Sequence, residues 1–477
     1  MQAWQLTVDL GTRSTKAARS LAGVAEPVAL AGRPELPSAV FLHRDGSLRA
    51  GWEAWDRGAV APERLEPTPR RWLSNGSTLV LGGTVLPVVD ALEAVLACAV
   101  EQATAVMEGA PSELALSFPA GWPASRTALL EEAAGRIAVP LAGLVPEPVA
   151  AVEGALPGLA PGATVAVYDL GAGTLGTAVV RQTERGPRLV GRPGGHERMG
   201  GDVFDERLLR HIGSRLAVAE PGSWDELDAG TELRWQRARL SLRIQLRQAR
   251  EQLSTQTSTQ VAVPMTGRSL PITRDELESL VAREVEQAAE ALHRSVVEAG
   301  VDPATLDHVL VVGGTSRMPL VQWSLLTRFG ERVLFAPEPE RVVALGAARL
   351  LGSEMFVRPA TSIRPGHGGV GVVAPPGGAP VAPVGPAFEA APATAPPPID
   401  VPAPAPPPVP PVADVPRLPS EAPAAPAPPG AAPPPPVAVP PPVPVGAAHA
   451  PTDRLLLVLI VALAAALGVA VALLVVT

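Results

Sequence analysis

Two aspartates define the chemistry that this sequence is equipped to do. Asp9 closes an apolar run within Trp4–Ala18 (WQLTVDLGTRSTKAA), and Asp169 closes another within Thr164–Val179 (TVAVYDLGAGTLGTAV). In both, Asp-Leu-Gly is followed by small and hydroxyl residues and then a second apolar stretch. That pattern predicts a β-hairpin around a glycine turn. Glycine in such a turn lets a phosphate come close to free backbone N–H groups, and small hydroxyl residues add donors. A carboxylate at the end of each first strand is placed to hold a magnesium ion through its water shell. One such hairpin is most simply a turn. Two copies, about 160 residues apart, predict two similar lobes facing one nucleotide.

The elements that must position these residues follow in order. Ser112–Pro119 reads as a strand, with a helix over Arg126–Ile137. Leu144–Ala151 (LVPEPVAA) is a strand that passes through Glu147-Pro148 into a helix. Gly194-Gly195 marks a loop before Met199-Gly200-Gly201-Asp202, where a helix begins with Asp202 as its cap. Glu232–Leu253 is an arginine-rich amphipathic helix whose charges read as a solvated face. His308–Gly314 (HVLVVGG) is a buried strand ending in two glycines. Arg341–Leu351 holds a run of small residues that permits close helix packing. Cys98 falls in the apolar helix Val88–Met107 and reads as a small core residue.

Composition divides the 477 residues into unlike materials. Of 57 prolines, 33 lie between Pro359 and Pro451, in a tract too poor in large apolar residues to fold. Leu455–Val476 is wholly apolar, and as a helix of roughly 33 Å it is long enough to cross a bilayer. The expected organisation is a folded domain over 1–353, a disordered Pro/Ala-rich linker over 354–453 and a transmembrane helix over 454–477. Met1–Leu6 lacks the features of a signal peptide, and Arg454 precedes the apolar run. A single-pass protein with its N-terminal domain in the cytoplasm is expected, touching membrane lipid through the C-terminal helix. A lone cysteine excludes a disulfide scaffold, and a net charge of −8 without basic clusters argues against a nucleic-acid partner. Among 39 basic residues Lys16 is the single lysine, so an arginine carries little information here and Lys16 carries more.

In order and spacing these motifs resemble the nucleotide-binding domain of the DnaK-type heat shock protein 70 family, within the actin, hexokinase and chaperone ATPase superfamily. The carrying residues are Asp9-Leu10-Gly11-Thr12, Glu147-Pro148-Val149-Ala150-Ala151, Asp169–Thr174, Met199–Asp205, Val312–Pro319 and Leu345–Ala348. The resemblance implies an α/β fold of two RNase-H-like lobes enclosing ATP or ADP with Mg2+. It implies catalytic roles for Asp9, Glu147, Asp169 and Arg70, with Asp9 and Asp169 on the metal's water shell. It places Gly11, Thr12, Gly171, Gly173, Thr174, Gly200 and Gly201 near ribose and phosphates. Arg250, Ser254, Gly313, Gly314, Thr315 and Arg317 would wall the adenosine. Lys16 matches a phosphate-contacting lysine of actin and several sugar kinases. Pro119 and Arg126 match a relay toward a downstream domain.

The sequence also departs from that pattern. No substrate-binding domain is expected after Leu351, where the proline-rich tract stands. Gly176 stands where a carboxylate is expected, Arg70 where the catalytic lysine is expected, and Arg247 where an acidic adenosine partner is expected. The functional expectation is a membrane-tethered, DnaK-like ATP-binding switch with slow hydrolysis and an unknown protein partner or co-chaperone. A nucleotide sensor that does not hydrolyse is the alternative, followed by a small-molecule kinase of the sugar-kinase branch.

Overall fold

A computed structural model describes residues 3–74, 77–220 and 222–357. The two expected hairpins are present: Trp4–Leu10 pairs antiparallel with Ser14–Leu21, and Thr164–Leu170 with Leu175–Thr183. Each seeds a mixed sheet. The first runs Leu141–Pro146, Glu113–Phe118, Trp4–Leu10, Ser14–Leu21, Val24–Val28, with Leu36–Pro37 also on Ser14–Leu21. The second runs Val333–Phe335, His308–Val312, Thr164–Leu170, Leu175–Thr183, Gly186–His196. Both share one topology. Three antiparallel strands come first, and two strands later in sequence join parallel to the first of them. The duplication inferred from two short motifs is therefore a duplication of whole sheets.

Strand alternation decides what each sheet buries. In Thr164–Leu170, Ala166, Tyr168 and Leu170 point into a core shared with the helices Gly201–Ala219, Leu233–Leu253, Arg274–Glu298 and Pro319–Phe329. Val165 and Val167 point the opposite way. In Trp4–Leu10, the even-numbered residues enter a core with the helices Val88–Met107 and Ala124–Gly135. Asp9 and Asp169 sit at odd positions, so both belong to the faces that the sheets turn toward each other.

Two helices fill the space between those faces, and each has crossed over. Glu147–Ala155 follows the last strand of the first sheet but packs on the second. Val342–Leu350 follows the last strand of the second sheet but lies on the first, where Ala344 and Ala348 meet Ala18 and the buried Thr7 hydroxyl donates to the Ala344 carbonyl at 2.9 Å. The small residues expected to permit close packing do so at Gly346. A Cβ there would lie 1.8 Å from the Ala150 carbonyl oxygen, and one on Gly154 2.1 Å from that of Val342.

Three sequence expectations need correction. Gly194 and Gly195 are not loop residues but lie in the strand Gly186–His196, opposite Thr177 and Gly176. Partner strands supply an order that two glycines would not predict alone. Asp202 does not cap its helix: the helix spans Gly201–Ala219 with Gly200 at the cap position and no side-chain cap bond. The folded domain does not stop at residue 353. Met355 is buried, and Val357 exchanges backbone hydrogen bonds with Leu144 of 3.0 and 2.8 Å. The expectations for the proline tract beyond Val357 and for the Leu455–Val476 membrane helix concern residues outside the described ones. Among the described residues no helix is long and apolar enough to cross a membrane.

Candidate functional site

The two hairpin turns face each other across a cavity of about 410 Å³. Asp9, Gly11, Thr12 and Lys16 line it from the first hairpin, and Asp169, Gly171 and Thr174 from the second. Arg70 and Glu147 join them, as do Arg250, Gly313, Gly314, Thr315 and Arg317. Four expected site residues do not line it. Gly173 packs against Thr12, where a Cβ would sit 2.6 Å from the threonine methyl group. Gly200 and Gly201 lie behind the second turn. The N–H of Gly201 donates to the Gly171 carbonyl at 3.1 Å and that of Asp202 to the Ala172 carbonyl at 2.7 Å. These glycines brace the turn instead of forming the wall. The Ser254 hydroxyl donates to the Arg250 carbonyl at 3.4 Å, within its own helix turn.

The turns also differ from the expected cradle. The Gly11 N–H is donated to the Asp9 carbonyl at 3.1 Å, and that of Gly171 to the Thr174 carbonyl at 3.0 Å. Neither is free for a ligand. The backbone N–H groups of Thr12 and Gly173 have no acceptor among the described residues. Gly313 is required twice over. Its φ is +85°, and a Cβ would fall 2.6 Å from an Asp169 carboxylate oxygen.

Three carboxylates crowd the floor. Asp9 is held by the Ser117 hydroxyl at 2.7 Å. Burial pushes Glu147 up to about 8, opposed by Arg70 and reinforced by Asp9 and Asp169. Burial also raises Asp169 to about 6, with Asp9 adding to the rise and Lys16 and Arg70 opposing it. Arg70 bridges the turn and the acid: its Nη1 donates to the Leu10 carbonyl at 2.6 Å and to Glu147 Oε1 at 3.2 Å. Negative charge held this closely calls for a cation. Among the described residues no three acidic, histidine or cysteine side chains are arranged to ligate a metal directly. Hard oxygen donors that hold an ion through its water shell fit a hydrated Mg2+.

Among the described residues six cations line the cavity, and five have acidic partners. Arg70 has Glu147, Arg247 has Glu251 at 2.9 Å, Arg250 has Asp205 at 2.6 Å, and Arg317 has Glu340 at 2.9 Å. Arg13 reaches across the cleft to Asp202, which Arg71 also meets at 2.8 Å. Lys16 makes no ion pair among the described residues. Its Nζ donates to the Ser14 carbonyl at 3.2 Å. Register explains its place, since Lys16 stands directly across the ladder from Asp9. In the second hairpin the residue across from Asp169 is Gly176.

The cross-cleft pairs of Arg13 and Arg71 with Asp202, and of Arg126 with Glu197, were not anticipated. In a chain with 39 basic residues, nearly all arginine, no single arginine advertises itself.

Residues 124–353 match the family described as Hsp70 protein. The chain carries an Hsp70-type domain. It is also similar to "Chaperone protein HscA" of Serratia proteamaculans, at 30% identity over 367 residues, 72% of this chain and 56% of that protein. The HscA homolog of Shewanella frigidimarina is 28% identical over 368 residues, 72% of this chain and 57% of the relative. The chain thus spans just over half the length of these curated relatives. The relatives' alignments are longer than the family match. The mixed α/β fold and the paired sheets are those of an Hsp70 ATPase-like domain.

Proposed function

We propose that the protein binds ATP with Mg2+ in the inter-lobe cavity, hydrolyses it slowly and acts as a nucleotide-dependent conformational switch. The observation that carries this reading is Lys16, a cation without an acidic partner among the described residues, in a cavity floored by Asp9, Asp169 and Glu147. A cavity that pairs its other cations internally and leaves one ammonium group over three carboxylates suits a phosphate chain brought in with its metal.

In this reading, a bound Mg2+ would supply screening of phosphate charge and an ordered water shell. Asp9 and Asp169 hold that water shell. Thr12 and Thr174 offer hydroxyls, and the free N–H group of Thr12 offers a backbone donor. Lys16 meets the outer phosphates as a point charge. Glu147, with its affinity for protons raised by burial, would in its ionised form take the proton of the attacking water as the bond from the outer phosphorus to the leaving ADP breaks, and Arg70 would offset the charge beside it. Arg247, Arg250, Gly313–Thr315 and Arg317 shape the adenosine end. We place the domain on the cytoplasmic side of a membrane, tethered through the proline tract to Leu455–Val476. There a protein partner reads lobe closure. The HscA relatives are chaperones by name, which favours a chaperone-related partner.

Lys16→Ala should weaken ATP affinity by about tenfold or more, the scale of a charge-assisted hydrogen bond. Asp169→Ala should abolish its magnesium dependence. Calorimetric titration with and without Mg2+ reads both. Wild-type affinity in both variants would remove this site from consideration.

Gly176 favours a second reading, a sensor that binds without turnover, because it withholds a carboxylate. The position has room: a Cβ would meet only the Asp169 Cβ, at 3.7 Å. Gly176→Asp is therefore expected to fold and to raise single-turnover phosphate release by about tenfold or more. If neither wild type nor this variant releases phosphate while both bind ATP, the sensor reading replaces the hydrolase.

A further inference from the structure

Arg70 has a neighbour that neither the hairpins nor the relay accounts for. Its guanidinium is buried, 8% exposed, and lies 5.2 Å from the centre of the Trp122 ring. Among the described residues only Nη1 makes hydrogen bonds, to Leu10 and Glu147. A guanidinium has five N–H donors in a rigid plane, so contacts to one nitrogen leave its orientation open. It also has room to leave. A groove of about 1110 Å³, lined by Arg70, Arg71, Trp72, Trp122 and Arg126, opens beside it. The Trp122 ring flanks the guanidinium along this groove.

Trp122 is itself fixed. Its backbone N–H donates to the Pro119 carbonyl at 2.9 Å, closing a turn whose next residue, Pro123, caps the helix Ala124–Gly135. The ring packs onto the first lobe's core. The same helix carries Arg126, which spans the cleft to Glu197. An ammonium group at position 70 would act as a point charge and need no such wall. The longer planar fork does.

We propose that Trp122 is the positioning residue for Arg70: its ring holds the guanidinium against Glu147 and keeps it out of the neighbouring groove. The arginine and the tryptophan thus act as one unit. The catalytic part of this inference rests on the ATPase reading above, while the pairing itself does not.

The test is a double-mutant cycle in the full-length protein with Trp122→Leu, Arg70→Lys and the combined variant, and with Trp122→Phe as the conservative control. Single-turnover phosphate release should fall about tenfold in Trp122→Leu, with ADP affinity within about twofold of wild type. On the Arg70→Lys background the same tryptophan change should alter release less than about twofold. Trp122→Phe should recover part of the loss, since it keeps an aromatic face. Equal losses on the two backgrounds, or no loss on either, would overturn the proposal. The four proteins of the cycle, unfolded in urea without nucleotide, report the pairing separately. Non-additive midpoints support it, and additive midpoints overturn it even if the protein binds no nucleotide. Failure of nucleotide binding in all four proteins, beside a non-additive urea cycle, would count against the ATPase reading alone.

Discussion

Gly346→Val is expected to destabilise the domain by at least about 3 kcal/mol, at the upper end for overpacking because the obstacle is backbone. The Ala150 carbonyl stands 1.8 Å from where the first side-chain carbon would go, and the Gly154 nitrogen 2.6 Å away. No rotamer change relieves such a contact, so one helix must move. Both helices lie between the sheets, with Val149, Ala150, Val343 and Ala347 buried in one cluster. Their separation would loosen both lobes at once. Urea unfolding measures the loss. Gly135→Ala is the control. That glycine ends the helix Ala124–Gly135 with nothing within 4 Å of an added Cβ, so alanine there should be neutral or slightly stabilising. Equal midpoints for Gly346→Val and wild type would show that the helix contact is not a structural constraint.

Glu147→Gln is expected to change how stability depends on pH. Burial raises the Glu147 carboxyl to about 8 and the Asp169 carboxyl to about 6 in the folded protein. Both exceed ordinary carboxylate values, so between about pH 4.5 and 8 the folded state binds more protons than the unfolded state. Stability without metal or nucleotide must therefore fall as pH rises through that window. The loss for Glu147 is on the order of 3 kcal/mol, with Asp169 contributing over the lower part of the range. Glutamine cannot ionise, so the variant should keep a shallower slope confined to Asp169 and be the more stable protein at pH 8. Mg2+ competes with protons for the same floor, so it should stabilise wild type more at pH 8 than at pH 6. Urea midpoints at pH 5, 6.5 and 8 decide the matter. Parallel pH profiles for the two proteins would show that Glu147 does not carry the effect.

The parts of this fold legible in the sequence are those with a local signature. Asp9 and Asp169 close apolar strand runs, and a glycine turn follows each of them. The lobes and the cavity floor follow from them. Lys16 was identifiable because the sequence holds no other lysine. What escaped depends on distant partners. Gly194 and Gly195 have no strand propensity of their own and are ordered by Thr177 and Gly176. Asp202 occupies a position suited to a helix cap, but two arginines from the other lobe claim its oxygens. The crossover of the two central helices has no local sign. Trp122 gave none either, because its role depends on a guanidinium 52 positions earlier in the chain.

The glycine contact between the crossed helices has a mechanical meaning. Where helices interlock through side-chain ridges, turning one against the other drives those ridges out of their grooves. Gly346 and Gly154 place backbone on backbone, so a small rotation about that point has little to climb. The contact resists compression and permits swivelling, which makes it a fulcrum. What opposes the swivel lies at the cleft, in the links from Arg13 and Arg71 to Asp202 and from Arg126 to Glu197. Salt leaves a steric fulcrum unchanged but screens the more exposed of these charges. The angle between the lobes is thus left to a latch that ionic strength can weaken, while their closest approach is set by a stop that it cannot.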